Sequence, residues 1–251
     1  MTYSADLNST RKQSSAARWS FKLALLGVVL LVLAVIGHRL GIMDFRIAMF
    51  GLVGGVALGL VAVFAGVIGI IVTRKETISG KPFAWVGLML GLLVTSPVFM
   101  TIYGASNVPP IHDISTDLQD PPEFVAILAL RTANHNSLDR DVPTNLTTLQ
   151  QDAYPGLVPL LINKEPRQVF EEALALVETL GWEVVATVAE EGRIEATATT
   201  PMMGFKDDVV IRVRDQAGQS IVDMRSVSRV GKSDLGANAK RIELFLAELQ
   251  D

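Results

Sequence analysis

The stretch GFKDDVVIRVRDQAGQSIVDMRSVSRVGKSDLGANAKRI, residues 204–242, decides the fold. Val209, Ile211 and Val213 alternate onto one face of a first strand, and Val222 and Met224 onto the same face of a second. Gln216-Ala217-Gly218-Gln219 makes the turn between them. That register sets Arg212 opposite Asp223 on the other face, a cross-strand ion pair worth at most about 1 kcal/mol if exposed. Carried to the open end of the hairpin, the alternation brings Asp207 against Ser226 and Ser228, polar residues on an apolar face. From there the chain turns through Arg229-Val230-Gly231-Lys232-Ser233-Asp234 into a helix predicted from about Asp234 to Leu249. Ser233 or Asp234 is its cap, and Leu235, Ala239, Ile242, Leu246 and Leu249 point inward.

A buried charge without a partner costs several kcal/mol, so the density of Asp and Arg in this stretch needs a reason. Asp207, Asp208, Arg225, Ser228, Arg229, Lys232, Ser233 and Asp234 form the candidate polar cluster. A helix N-terminus flanked by Arg225, Arg229 and Lys232 offers N–H donors and positive charge to an anion. The favoured alternative is a structural network in which Asp207, Asp208 and Asp234 neutralise those bases, with Arg229 held by an acid. Gly231-Lys232-Ser233 has the ending of a phosphate loop, but the glycine required five residues earlier is Ser226, so no nucleotide loop is expected.

Upstream, PRQVFEEALALVETL (residues 166–180) reads as a helix, with Pro166 in its first turn and Gly181 closing it. Val169, Phe170, Ala173, Leu174, Val177 and Leu180 share one face, which must cover a sheet. Trp182–Ala189 and Arg193–Thr200 supply two further strands around Glu190-Glu191-Gly192. Pairing Val188 with Ile194, Ala186 with Ala196 and Val184 with Ala198 leaves a polar outer face and a one-sided hairpin. Earlier still, Asp120 before Pro121-Pro122 is a candidate cap for a short helix EFVAILALR. Residues 132–151 read as a surface loop.

The 204–242 stretch, together with IHDISTDLQDPPEF (residues 111–124) and YPGLVPL (residues 154–160), resembles family 1499 of the bacterial domains of unknown function, in its membrane-anchored members. The resemblance covers roughly the last 140 residues. It implies a fold and carries no established chemistry.

The other half of the chain differs in kind. Hydrophobic residues make up 49% of the 251, and their excess lies before residue 104. Apolar runs from Trp19 to about Gly37, from Ile47 to Val72 and from Phe83 to Tyr103 are each long enough to span a bilayer. The first is longer than the core of a signal peptide and lacks a small-residue cleavage site. Residues 1–18 read as a cytoplasmic tail, 19–103 as a three-helix anchor, 104–122 as a linker and 123–251 as an α+β domain of helix, four antiparallel strands and helix. Arg11, Lys12, Arg18, Lys22, Arg74, Lys75 and Lys81 lie on one side of these spans and only Arg39 and Arg46 on the other. The N-terminus is therefore expected in the cytoplasm and the final domain in the periplasm, from a bacterial inner membrane. Gly51, Gly55 and Gly59 share a helix face, used either for packing within the chain or as a homodimer seam.

Function is bounded by exclusion. A net charge of −4 argues against nucleic acid, and zero cysteines remove thiolate chemistry and disulfides. His112, Asp113 and Asp117 read as a turn network rather than metal ligands, and no cofactor is expected. Without a catalytic spacing, the sequence reads as a non-catalytic extracytoplasmic binding or accessory domain, with an envelope protein or small anionic ligand as partner. The alternative is a hydrolase using Asp207, Asp208, Ser228, Arg229 and Asp234.

Overall fold

The computed structural model describes residues 12–106, 108–140 and 144–250. The chain divides into two compact units, Met1–Gly104 and Ala105–Asp251. The first holds three long helices packed on one another, α1 (Ser15–Arg39), α2 (Phe45–Val72) and α3 (Lys81–Gly104). All three are long and apolar enough to cross a membrane. Helix α1 begins four residues before the predicted Trp19, because the Ser14 side chain caps it by accepting from the Ala17 N–H at 3.3 Å. Just ahead of it, β1 (Lys12–Gln13) pairs in parallel with β2 (Ile78–Ser79), so the end of the predicted tail is ordered. Residues 1–11 of that tail lie outside the described residues.

Glycine sets the helix spacing. A Cβ on Gly55 would fall 2.8 Å from the Gly27 carbonyl oxygen, and one on Gly91 would fall 2.7 Å from that of Gly59. Gly51 meets Ala34, and Gly59 meets Val94 and Thr95. The Gly51, Gly55 and Gly59 face is thus occupied by α1 and α3 of the same chain.

The second unit is a six-stranded antiparallel sheet carrying helices. Its strands are β3 (Asp113–Ser115), β4 (Leu160–Ile162), β5 (Glu183–Val188), β6 (Arg193–Thr199), β7 (Lys206–Gln216) and β8 (Gln219–Ser228). They run in the order β3-β8-β7-β6-β5, with β4 also paired to β8. The four predicted strands are present, and two more extend the sheet, β3 from the segment that reads as linker and β4 from a segment given no element. Helices α5 (Pro166–Thr179) and α6 (Ala237–Gln250) cover one face, over a core that includes Val169, Val177, Ile211, Met224, Ile242 and Phe245.

The β7–β8 register is the predicted one, with Arg212 opposite Asp223 and Asp207 opposite Ser228. Its turn holds Ala217 at φ 55° and Gly218 at φ 86°, the double left-handed step of a type I′ turn. The β5–β6 register is not the predicted one. Val188 pairs with Arg193, Ala186 with Glu195 and Val184 with Ala196, with an irregularity between Val184 and Ala186. The cause is a 3-10 turn over Ala189–Glu191, closed by Gly192 at φ 61°, which shifts the pairing by one residue.

The sheet is also not one-sided. Phe124, Ile127, Val210 and Val227 form a second buried cluster with Leu138 and Val185 on the face away from α5 and α6. The chain between residues 116 and 140 crosses that face as a strap. The predicted helix 123–131 is reduced to one 3-10 turn, Ile127–Leu130, and Asp120 instead pairs with Arg212 at 3.0 Å. The predicted loop 132–151 contains α4 (Leu146–Ala153), which buries Leu146 and Gln150. Leu235, expected inward, is 51% exposed, and Phe245, stacked 5.5 Å from Trp182, fills the core instead.

Candidate functional site

Neighbouring residues on a strand point to opposite faces, so Asp207 and Asp208 cannot serve one site. Asp207 lies on the helix side, where Arg241 of α6 donates to its Oδ2 at 2.5 Å. Arg241 also donates to Ser226 Oγ at 2.9 Å and to the side-chain Oδ1 of Asn238. Asn238 donates in turn to Ser228 Oγ at 2.9 Å and to the His112 carbonyl at 3.0 Å. Asp234 caps α6, its two carboxylate oxygens each accepting a backbone N–H, from Gly236 and Asn238, at 2.9 Å. Burial raises the pKa of this carboxyl, the two backbone bonds oppose that, and the Asp207 charge adds to it.

Asp208 lies on the strap side and is fully buried. Arg229 grips it through Nε at 3.0 Å and Nη2 at 2.8 Å, Arg131 adds Nε at 2.8 Å, and Thr197 donates at 2.9 Å. Asp113 of β3 repeats the pattern between Arg225, at 3.1 and 2.8 Å, and Arg140, at 2.6 Å. Asp223 does so between Arg212 at 3.0 Å and Arg214 at 2.7 Å. Three interior aspartates are thus each held by two arginines; at Asp208 and Asp113 both carboxylate oxygens are paired, which offsets desolvation, whereas Asp223 takes both arginines on Oδ2 and its buried Oδ1 has no partner among the described residues. Burial lowers the pKa of Arg131 and Arg140, and Asp208 and Asp113 respectively oppose the shift.

The strap is bound by the same groups. Arg131 donates to the Asn136 and Val227 carbonyls, and Asn136 donates to those of Ser228 and Gly231 at 3.0 and 2.8 Å. Arg225 donates to the Leu138 carbonyl and lies 5.2 Å from the Phe124 ring. Glu195, fully buried on β6, accepts from the N–H groups of Val125, Ala126 and Ile127 at 2.9–3.1 Å and pairs with Arg193. This carboxylate holds the strap backbone and sets its single 3-10 turn. His135 sits on the strap, accepting from the Thr132 N–H at 3.2 Å. Burial depresses its pKa, and Arg229 and Arg131 depress it further.

The eight residues of the predicted cluster therefore do not converge. Asp207, Ser228 and Asp234 join α6, Asp208, Arg225 and Arg229 join the strap, Ser233 accepts from the Leu235 N–H, and Lys232 projects from the surface. His112 Nδ1 approaches the Lys232 carbonyl at 3.4 Å, Asp113 is taken by arginines, and Asp117 accepts from the Gln119 and Asp120 N–H groups. Among the described residues no three His, Asp or Glu are grouped to hold a metal. A cleft of about 660 Å³ lies elsewhere, between Pro166–Glu171 of α5, the 189–192 turn and Val213–Asp215.

Arg131, Arg140, Asn136, Glu195 and Asn238 were not singled out in the sequence. For Glu195 there was a signal, an acid between Ile194 and Ala196 in a strand; for the strap residues there was none.

A family model described as "protein of unknown function (DUF1499)" matches residues 113–249, which spans β3 to α6. None of the curated proteins matches the chain.

Proposed function

Given that the chain belongs to the DUF1499 family, over more than half its length, we propose that it is a multi-pass protein of the bacterial inner membrane holding a non-catalytic binding or accessory domain in the periplasm. The observation that carries this reading is the commitment of the charged groups to one another. Asp208 and Ser228 lie on opposite faces of the sheet, so the five residues of the hydrolase alternative have no common point at which a substrate atom could sit. Arg229, which a hydrolase would need as a clamp, spends both its Nε and one terminal nitrogen on Asp208 and Thr197. The orientation is supported by the seven-to-two distribution of Lys and Arg across the spans.

The absence of cysteine makes a direct test available. A single cysteine at exposed Glu190 should react with a membrane-impermeant maleimide in intact cells, and one at Thr77, in the α2–α3 loop, only after permeabilisation. The opposite pattern would overturn the periplasmic placement.

A further inference from the structure

In the second unit the buried arginines are matched with acids; at one end of the helical unit the bases are not. The start of α1, the end of α2 and the start of α3 meet there, since Gly69 packs on Ala17 and Gly66 on Ala84. This end exposes Lys12, Arg18, Lys22, Arg74, Lys75 and Lys81. No carboxylate of the described residues pairs with any of the six, and among the described residues the acid nearest to them in sequence is Glu76. At the opposite end stand Arg39 and Arg46 beside Asp44.

Two tryptophans mark the depth of this end. Trp19 and Trp85, one near the start of α1 and one near the start of α3, are 58% and 47% exposed, and the Lys22 amine lies 5.5 Å from the Trp19 ring. Tryptophan in that position sits at the headgroup level of a bilayer. The basic groups are also held in place in advance. The β1–β2 pairing sets Lys12 beside Ile78, Ser14 N–H donates to the Ser79 carbonyl at 3.0 Å, and Ile78 N–H donates to the Lys75 carbonyl at 3.0 Å. Residues 12–14 and the α2–α3 loop are thus ordered before a ligand arrives, so less entropy is lost on binding.

We infer that this end of the helical unit is a binding surface for anionic phospholipids, with the headgroup phosphates drawn to the six exposed bases beside the β1–β2 pairing. The occupant is lipid rather than free phosphate because unmatched charge and exposed indole occur at one level beside membrane-spanning helices. Each base at such a surface contributes on the order of a fivefold preference for an anionic over a zwitterionic leaflet.

The test is native mass spectrometry of the full chain in micelles doped with equal amounts of phosphatidylglycerol and phosphatidylcholine. Wild type should retain phosphatidylglycerol preferentially, and the preference should fall with added salt. Arg74→Gln with Lys75→Gln should lower it by about twenty-five-fold, while Arg39→Gln with Arg46→Gln should leave it within about twofold. Circular dichroism of each variant shows that the helices persist. A micelle has no inside, so a variant that would insert upside down in cells still reports on lipid binding alone. Equal retention of the two lipids by wild type, equal losses in the two double variants, or displacement of the bound lipid by inorganic phosphate would each overturn the proposal. None of these outcomes bears on the placement of the second unit, which the maleimide pattern tests separately.

Discussion

Asp208 has no exposure and four donors, and its neighbours on the strand, Asp207 and Val209, face the other way. Replacing it by alanine would strand two guanidinium groups in the interior, so Asp208→Ala should destabilise the domain by about 3–5 kcal/mol in denaturant titration. Arg229→Ala should cost less, about 1–3 kcal/mol, because Arg131 and Thr197 still serve the carboxylate, and Arg229→Lys should recover little of it because an ammonium cannot supply the fork. Similar losses for Asp208→Ala and a surface acid would refute the account. His135 gives a pH dependence with a definite sign. Its folded pKa lies below the unfolded value near 6.5, so its contribution is intact above that value and is lost as pH falls towards the depressed one. Measured against wild type, His135→Asn should gain relative stability between pH 7.5 and 5.5; a difference that stays flat would show that the imidazole does not titrate in the fold. At this scale the sequence displayed the acids, the Arg212–Asp223 pair and an acid for Arg229, but not Arg131 and Arg140. Arg131 and Arg140 lie in an aperiodic segment, and Asp208 meets Arg131 across 77 residues.

Elements were legible where a period had room to repeat. The three spans, α5, α6 and the β7–β8 hairpin each run ten residues or more, and their patterns located them. Strands β3 and β4 have three residues each, too few for alternation to appear, and the strap has a single 3-10 turn, too short for a period. The β5–β6 register failed for a local reason, since the turn spends Ala189–Glu191 on a 3-10 bend before Gly192. Two turns carry strain that can be removed. Ala217 at φ 55° and Leu235 at φ 55° both occupy the left-handed region, which disfavours a Cβ and tolerates asparagine. Ala217→Asn and Leu235→Asn should each stabilise the domain by about 0.5–1 kcal/mol, additively, because one lies in the β7–β8 turn and the other before α6. A loss of stability in either would show that the turn is set by something other than backbone preference. Gly192 allows no such exchange, since a Cβ there would fall 2.0 Å from the Val213 carbonyl oxygen.

At the scale of the molecule, a sheet covered on both faces has its own core. A fragment of residues 105–251 should be soluble and unfold in a single cooperative transition followed by circular dichroism. Broad, probe-dependent unfolding would mean that the anchor completes its fold. The change at residue 104, where one compact unit gives way to the next, was legible in composition alone, because hydropathy drops abruptly there. The second cover of the sheet was not, because a strap held by carbonyls and arginines leaves no apolar period. One pairing also has a consequence in time. Strand β3 opens the domain and is hydrogen-bonded to β8, which comes near its end, and Asp113 meets Arg225 across 112 residues. During synthesis, then, Asp113 leaves the ribosome long before the strand and the guanidinium that will hold it, and waits as an unpaired charge on a solvated chain. A ribosome stalled before residue 219 would carry a nascent domain with β3 still undocked, and any factor that guards incomplete chains has that whole interval in which to act.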